Sequence, residues 1–390
     1  MDNNFIYLDH AATSPISNDV IEEINLTYKN YWGNVSSTYK FGVNCASHLE
    51  KLRSKIAQKF NADCEDVIFT SGSSESISIV FDNVSYKYQK GNLTISSVEH
   101  QASIIESNKL KKRGWNVLEW EVDKDGKINL KLIDKYINKS IKLVSIIWGQ
   151  SEIGTLQPIQ EIGKRCFELG IYFHVDGTQI LSNGIFNWKE LNCDLLSLSA
   201  HKFGGPKGIG ILLTKNNSRQ FLRNSDISMS HEYSIRQGTQ ALPLISGIYQ
   251  ALNNINGKII FPNNKIEFTN EKIKILNKFI FDKLISNNHI QITGSINQRL
   301  PNHISFIVFN NKFIPIEAYK IINFMSDNEI AISSGSACSS STNKPSSVLI
   351  RLGLDKDKIY SNIRLSFNSS NKIQELDKFY NLLIECIDIF

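Results

Sequence analysis

The chain has 390 residues, of which 41% are hydrophobic and 21% charged, a composition typical of a packed globular protein that excludes a disordered or fibrous one. Its 43 Lys and Arg residues against 38 Asp and Glu residues leave a net charge of +5, too small and too dispersed to indicate a nucleic-acid-binding protein. No stretch reaches the roughly 18 uncharged apolar residues of a membrane span. The opening residues M-D-N-N-F-I-Y-L-D-H also lack the basic start of a signal peptide.

The six cysteines are scattered along the chain without a C-x-x-C pair. In a chain of this length such a distribution is typical of reduced thiols, and it argues against a disulfide framework or a zinc site. We therefore expect a cytoplasmic protein without a metal site.

Apolar β-branched runs alternate with helix-period segments through the middle of the chain. This alternation predicts an α/β fold with a parallel sheet covered by helices. The predicted strands cover residues 67–70, 93–97, 143–148, 171–175, 195–199 and 209–213. The predicted helices between them cover residues 75–88, 101–112 and 158–169.

From about residue 255 the composition shifts toward Asn, Lys and Ile. An amphipathic helix is predicted over 268–284, followed by short strands at 304–309 and 330–333 and a C-terminal helix from residue 373. We predict a large domain over residues 16–255 and a smaller α+β domain formed by residues 1–15 and 256–390. Neither a Walker A motif nor a G-x-G-x-x-G motif occurs, which excludes the common nucleotide-binding folds.

Polar residues follow five of the six predicted strands, where open α/β sheets bind their ligands. Lys202 is a Schiff-base candidate between small residues, or an ordinary surface lysine. Asp176 could pair with a protonated pyridine nitrogen or cap a turn. Ser73 and Ser74 could bind phosphate at a helix N-terminus or act as an N-cap, and His100 could stack on a planar ring or be structural. Together these features specify pyridoxal 5′-phosphate.

A series of motifs makes the chain recognisable. In order, they are Y-L-D-H-A-A-T-S-P, T-S-G-S-S-E-S, E-H-Q-A, S-E-I-G, H-V-D-G-T-Q, S-A-H-K-F-G-G-P-K-G-I-G, R-Q-G-T, S-S-G-S-A-C-S-S and I-R-L-S. With them the chain resembles the cysteine desulfurases of the IscS/NifS type, class V of the fold-type I pyridoxal-phosphate enzymes. The resemblance implies a large domain with a mainly parallel seven-stranded sheet and a smaller α+β domain.

The resemblance also implies roles around the cofactor. Lys202 would hold it covalently, Asp176 would bind the pyridine nitrogen and Gln179 the phenolic oxygen. His100 would stack on the ring and act in acid–base steps. The residues implied at the phosphate are Ser73, Ser74, Ser199, His201 and, across the interface of a homodimer, Thr239.

On the substrate side, the resemblance implies that Arg364 binds the α-carboxylate of L-cysteine, a two-bond contact suited to a guanidinium. It places Asn34 and Ser151 at the same site, with Ser151 also contacting the cofactor. Cys338 would take the substrate sulfur as a persulfide, releasing L-alanine, and pass it to an acceptor protein. Residues 333–345 around Cys338 are small and polar, which predicts an exposed, flexible loop. The other five cysteines are expected to be packing residues.

The chain departs from the family pattern at four places. Ser151 replaces an Asn, which would weaken one contact by roughly 0.5–1.5 kcal/mol. Val35 follows Asn34 where the family has Pro, and Tyr39 stands in place of a His. S-M-S-H-E-Y-S-I, ending at Ile235, replaces a Gly-rich stretch, and residues 368–370 replace G-R-x-x-T. The residues that the resemblance places at the centre of the chemistry are all present, and we therefore expect an active, specialised member of the family. They are Lys202, Asp176, His100, Gln179, Arg364 and Cys338.

Several functions stay open on the sequence alone. A desulfurase could supply iron–sulfur cluster assembly, tRNA thiolation or DNA phosphorothioation. The alternatives are a selenocysteine lyase or another class V enzyme, and a weakly active scaffold that docks sulfur-transfer partners. The basic cluster Lys109, Lys111, Lys112 and Arg113 falls at a predicted helix end, where cations favour the helix dipole. We therefore expect no direct nucleic-acid binding.

Overall fold

A computed structural model of the protein describes residues 5–222, 231–262, 265–335 and 345–390. Cys338 lies outside the described residues, as does most of the predicted loop around it. Within the described ranges, no helix is long and apolar enough to cross a membrane.

The strands follow one another in this chain order: Ile6–Tyr7 (β1), Val67–Thr70 (β2), Asn92–Ser96 (β3), Asn116–Trp120 (β4), Ile141–Ile147 (β5), Tyr172–Asp176 (β6), Ile185–Phe186 (β7), Leu195–Ser199 (β8), Gly210–Thr214 (β9), Lys258–Ile260 (β10), Glu267–Phe268 (β11), Ile290–Thr293 (β12), His303–Val308 (β13), Ile330–Ala331 (β14), Ser333–Ser334 (β15) and Asn362–Ser366 (β16). The α-helices are Asn18–Asn30 (α1), Lys40–Phe60 (α2), Ser73–Tyr88 (α3), Gln101–Lys112 (α4), Ile133–Tyr136 (α5), Ile159–Leu169 (α6), Asn216–Leu222 (α7), Leu242–Asn253 (α8), Glu271–Ile285 (α9), Ala318–Asp327 (α10), Ser347–Arg351 (α11), Lys356–Tyr360 (α12) and Ile373–Ile389 (α13).

A seven-stranded sheet in the order β2-β9-β8-β6-β5-β3-β4 forms the centre of the larger unit. Its neighbouring strands are parallel except at β9, which is antiparallel to both β8 and β2. The α/β class and the mainly parallel sheet are therefore confirmed. The six predicted strands are all present, shifted by at most two residues at either end. β4 was not predicted, because this edge strand is mostly half-buried and lacks an apolar run.

A second, four-stranded sheet in the order β12-β13-β16-β15 has its own apolar core against α9, α10 and α13. The side chains of Ile280, Phe306 and Phe379 are fully buried in this core. β1 pairs with β14, which attaches the start of the chain to this smaller unit. β10, however, pairs with β7, and Phe268 packs on the large core. The predicted boundaries after residues 15 and 255 stay predictions.

Candidate active site

The carboxyl ends of β2, β5, β6 and β8 open into one cavity of about 640 Å³. This is the edge of a parallel sheet at which ligands are expected. Ten residues implied by the resemblance line it: Ser73, Ser74, His100, Ser151, Asp176, Gln179, Ser199, His201, Lys202 and Arg364. The structure thus brings together residues of the seven-stranded sheet and the four-stranded sheet. In the sequence these residues lie up to about three quarters of the chain apart.

Lys202 lies in a single 3₁₀ turn, Ala200–Lys202, directly after β8. Its Nζ donates hydrogen bonds to the carbonyl oxygens of Ala11 at 2.7 Å and Ala12 at 2.8 Å. Small residues permit the turn, since a Cβ on Gly205 would lie only 2.9 Å from the Cβ of Ala200. The amine is therefore held inside the cavity at a defined place.

Asp176 ends β6 and is only 2% exposed. Its Oδ1 accepts hydrogen bonds from the backbone N–H of Thr178 at 3.0 Å and from the Thr178 hydroxyl. The carboxylate thus caps the turn and also lines the cavity, so the two interpretations of Asp176 are compatible. Gln179, in the same turn, donates from Nε2 to the carbonyl of Ala11 at 3.0 Å.

A set of polar groups suited to a phosphate surrounds the N-terminus of α3, which begins at Ser73. The preceding Gly72 has φ +151°, a backbone conformation that L side chains rarely adopt. A Cβ on Gly72 would lie 3.6 Å from the Ser199 hydroxyl. His201 Nδ1 lies 3.1 Å from the Thr13 hydroxyl. Burial, together with the nearby lysines 202 and 207, lowers the pKa of His201 to about 4, so its ring is neutral near pH 7. A helix N-terminus flanked by hydroxyls and lysines favours an anion.

His100 is the N-cap of α4, and its Nδ1 accepts a hydrogen bond from the Ala102 backbone at 3.2 Å. In the neutral ring the proton therefore sits on Nε2. The adjacent Glu99 is buried, and its Oε1 accepts from the Ser96 hydroxyl at 2.5 Å and the Ile147 N–H at 2.9 Å. Burial, reinforced by the charge of Asp176, raises the pKa of Glu99 to about 8. Sequence reasoning missed Glu99, although it stands beside His100 in E-H-Q-A.

Arg364 lies on β16 and is 4% exposed. Its Nη2 donates to Asp9 Oδ1 at 2.8 Å and its Nη1 to the Ser151 carbonyl at 3.0 Å. The same carbonyl accepts from His303 Nε2 at 2.9 Å. Asp9 was also missed: its motif was noted, but no single residue in it signalled a contact with an arginine 355 positions away.

Both described ends of the segment that contains Cys338 lie close to Arg364 or Glu152. Ser333 is the cross-strand partner of Arg364, and Glu152 Oε2 accepts a hydrogen bond from the Ser346 hydroxyl at 2.5 Å. A Cβ on Gly335 would lie 3.7 Å from the same Glu152 oxygen. The described residues on both sides of this segment are therefore held beside Arg364, which lines the cavity, and beside Glu152.

Two implied site residues do not line this cavity. Asn34 is exposed on the chain between α1 and α2, where its Oδ1 accepts from the Ser36 N–H at 2.9 Å. Thr239 is exposed as well. The roles predicted for both residues stay predictions.

The five described cysteines are all free. Cys45, Cys166, Cys193 and Cys386 are buried, in agreement with their expected packing roles. The same expectation is wrong for Cys64, which is exposed because it opens a surface 3₁₀ turn before β2.

The basic cluster at the end of α4 carries ion pairs. Lys109 pairs with Glu106 at 2.8 Å and Lys111 with Glu119 at 2.9 Å. Arg113 also lies 3.4 Å from a carboxylate oxygen of α3. These neighbours offset much of the positive charge, which favours a solvated helix terminus over a nucleic-acid site.

The donors that line the cavity fit pyridoxal 5′-phosphate. A lysine amine, a buried aspartate and a helix N-terminus with hydroxyl groups match the aldehyde, the ring nitrogen and the phosphate of this cofactor. No group of three or more potential metal ligands occurs among the described residues.

Comparisons with known proteins identify the family of the chain. The profile of the family described as "Aminotransferase class-V" matches residues 6–379. The cysteine desulfurase IscS of Clostridium botulinum is 32% identical over 389 residues, covering 99% of this chain and 95% of that protein.

Two solved structures are similar over nearly the whole chain. One, named NifS-like protein, has a TM-score of 0.85 and 26% identity, covering 99% of this chain and 100% of its own. The other, SspA in complex with cysteine, has a TM-score of 0.79 and 26% identity, covering 93% of this chain and 99% of its own. The chain therefore belongs to the class-V aminotransferase family, among the cysteine desulfurases of the IscS/NifS type.

Proposed function

We propose that the protein is a pyridoxal 5′-phosphate-dependent cysteine desulfurase, which converts L-cysteine to L-alanine and transfers the sulfur as a persulfide on Cys338. One observation carries this proposal. The amine of Lys202, the carboxylate of Asp176 and the guanidinium of Arg364 line a single cavity, and the strand paired with Arg364 leads directly into the segment of Cys338.

Seven residues of the cavity have a task toward the cofactor. Lys202 would hold it covalently, Asp176 would keep its ring nitrogen protonated, and Gln179 would contact its phenolic oxygen. The phosphate would be held by the N-terminus of α3 with Ser73, Ser74, Ser199 and His201. When bound, the cofactor supplies an electron sink for negative charge that develops at the substrate Cα.

The protein's own groups then move the protons and the sulfur. Arg364 orients the substrate through its α-carboxylate, and Lys202 Nζ removes the Cα proton. The Cys338 thiolate attacks Sγ of the substrate, so that an S–S bond forms as the Cβ–S bond breaks. The electron pair left at Cβ takes the proton that the substrate thiol carried, passed on by His100 or Lys202. Lys202 returns the proton to Cα, and L-alanine leaves.

We also propose that the active unit is a homodimer in which Thr239 reaches the phosphate of the neighbouring site. Two observations support this arrangement. Thr239 is exposed and lies outside its own cavity, and Arg236 three residues earlier pairs at 3.2 Å with Glu75, which lines the cavity. A protein that sediments as a monomer in its cofactor-bound state would contradict the proposal.

We infer that the sulfur acceptor is a protein of iron–sulfur cluster assembly, tRNA thiolation or DNA phosphorothioation. The cytoplasmic location likewise stays a prediction, supported by the free state of the described cysteines.

The function is tested by incubating the purified, cofactor-loaded protein with L-cysteine and measuring L-alanine. We expect Cys338→Ser to retain the cofactor absorbance and to lose sulfur transfer, whereas the exposed Cys64→Ser serves as a matched control with native transfer. A scaffold would form no alanine. Turnover of L-selenocysteine that is unaffected by Cys338→Ser, with L-cysteine left unreacted, would favour the lyase alternative.

A further inference from the structure

The first motif of the chain, Y-L-D-H-A-A-T-S-P, has no task in the proposed function, yet it crosses the cavity. The carbonyl oxygens of Ala11 and Ala12 accept the hydrogen bonds of Lys202. Asp9, two residues before Ala11, is not among the residues that line the cavity, and it contacts Arg364. Its position behind a residue of the site suggests that it acts through that residue.

Two acceptors hold the guanidinium of Arg364. Asp9 Oδ1 takes one N–H of Nη2 at 2.8 Å, and the Ser151 carbonyl takes one N–H of Nη1 at 3.0 Å. A guanidinium has two N–H groups on each terminal nitrogen, so each of these nitrogens keeps one N–H to donate. Nε is buried and has no hydrogen-bond partner among the described residues. The terminal nitrogens are therefore the donors that a ligand carboxylate would meet.

Asp9 is itself fixed in place. Its Oδ1 also accepts from the Ser333 hydroxyl at 2.7 Å. Its backbone oxygen accepts from the Tyr7 hydroxyl at 3.1 Å and from the Ala12 N–H at 3.0 Å. A carboxylate on so constrained a segment cannot follow a rotating arginine, and it therefore determines where Nη2 lies before a ligand binds.

We propose that Asp9 is a positioning residue for substrate recognition: it fixes Arg364 so that one N–H of each terminal nitrogen faces the α-carboxylate of L-cysteine. The inference rests on the proposed function, in which Arg364 binds that carboxylate. Two-bond contacts between a guanidinium and a carboxylate depend on a shared plane. Loss of Asp9 therefore weakens binding of the carboxylate and leaves the other contacts of the substrate unchanged.

The test compares two ligands of the cofactor-loaded protein, L-alanine and L-alaninamide, which differ only in the carboxylate. Their dissociation constants are read from the change in cofactor absorbance, and the preference is the ratio of the two. We expect Asp9→Ala to reduce the preference for the acid about tenfold, the effect of losing one charge-assisted hydrogen bond. Asp9→Asn keeps an Oδ1 acceptor and should stay within about threefold of the native preference.

A matched control is Asp134→Ala, which breaks another Arg–Asp pair, Arg165–Asp134 at 2.7 Å, far out on the surface with Asp134 exposed. The preference of this variant for L-alanine over L-alaninamide should equal that of the native protein. A native preference in Asp9→Ala would overturn the inference, as would an equal loss of affinity for acid and amide. A loss in Asp9→Asn as large as that in Asp9→Ala would overturn it as well, since the retained acceptor would then not suffice.

Arg364→Ala distinguishes a failure of the role of Asp9 from a failure of the role of Arg364. If this variant loses the preference for the acid while Asp9→Ala keeps it, the role of Asp9 is wrong and that of Arg364 stands. If Arg364→Ala keeps the preference, the assignment of Arg364 in the proposed function is wrong, and the inference about Asp9 fails with it.

Discussion

A buried ion pair between Arg53 of α2 and Glu232 fixes the segment that leads to R-Q-G-T. Arg53 is 2% exposed, and its two terminal nitrogens each lie 2.9 Å from a Glu232 oxygen. Glu232 also accepts the backbone N–H of Phe69 in β2 at 2.8 Å. Glu232, Tyr233 and Ser234 have φ values of 43°, 56° and 65°, a left-handed turn that costs free energy without glycine. The ion pair and the hydrogen bond from Phe69 together hold this turn against the sheet.

Glu232→Gln keeps the shape of the side chain and leaves the charge of Arg53 buried. Breaking a buried pair costs about 3–5 kcal/mol, and we expect about 3 because Glu50 stays 3.1 Å from Arg53. An unfolding entropy of about 2.1 cal/mol/K per residue gives about 0.8 kcal/mol/K for the 390-residue chain. The midpoint of thermal unfolding should therefore fall by about 4 °C.

The assay is thermal unfolding of the cofactor-loaded protein, extended to a double-mutant cycle with Arg53→Met. Each single variant leaves one buried charge, whereas the double variant leaves none. The loss in free energy of unfolding in the double variant should therefore be smaller than the sum of the two single losses by at least about 2 kcal/mol. Glu50→Gln, at an exposed partner of the same arginine, should cost no more than about 1 kcal/mol. An unchanged midpoint in Glu232→Gln, or additive losses in the cycle, would refute the reasoning.

Three further predictions follow from the site and its surroundings. Lys202→Ala should bind the cofactor without a covalent bond, seen as loss of the protein-bound absorbance after gel filtration; absorbance that persists contradicts its role. Gly335→Ala should slow sulfur transfer, measured as alanine formed per minute, because the new Cβ would lie 2.7 Å from Asn362 Oδ1; a native rate would show that the contact relaxes freely. Burial lowers the pKa of His174 to about 3. Its contribution to stability is therefore complete above about pH 6.5 and is lost as the pH falls toward about 3. Between these pH values the free energy of unfolding, measured with urea, should fall less steeply with decreasing pH in His174→Asn than in the native protein, by about 1.4 kcal/mol per pH unit. An unchanged pH dependence contradicts the assignment.

Much of the fold and of the cavity follows from local sequence patterns. Residues that directly follow apolar strands, such as Asp176 and Lys202, could be assigned to one site because the carboxyl ends of parallel strands share one edge of a sheet. The N-terminus of α3 at Ser73 was recognisable from its glycine and serines.

What local patterns could not predict are contacts between distant parts of the chain. Asp9 reaches Arg364 across 355 positions and Arg53 reaches Glu232 across 179, and a charged residue carries no local sign of its partner. The edge strand β4 was not predicted because Asn116 and Glu119 interrupt the apolar run by which a central strand is recognised, and most of its residues are only half-buried. Cys64 shows the converse, since a cysteine at the start of a short turn lacks the burial that its type usually indicates.

The most direct test of the central claim is a single turnover, in which the cofactor-loaded protein receives one equivalent of L-cysteine and is then digested for mass spectrometry. We predict that the peptide containing Cys338 becomes heavier by one sulfur atom and that one L-alanine appears for each persulfide. Alanine formed with no added sulfur on this peptide, or sulfur found instead on the exposed Cys64, would contradict the account.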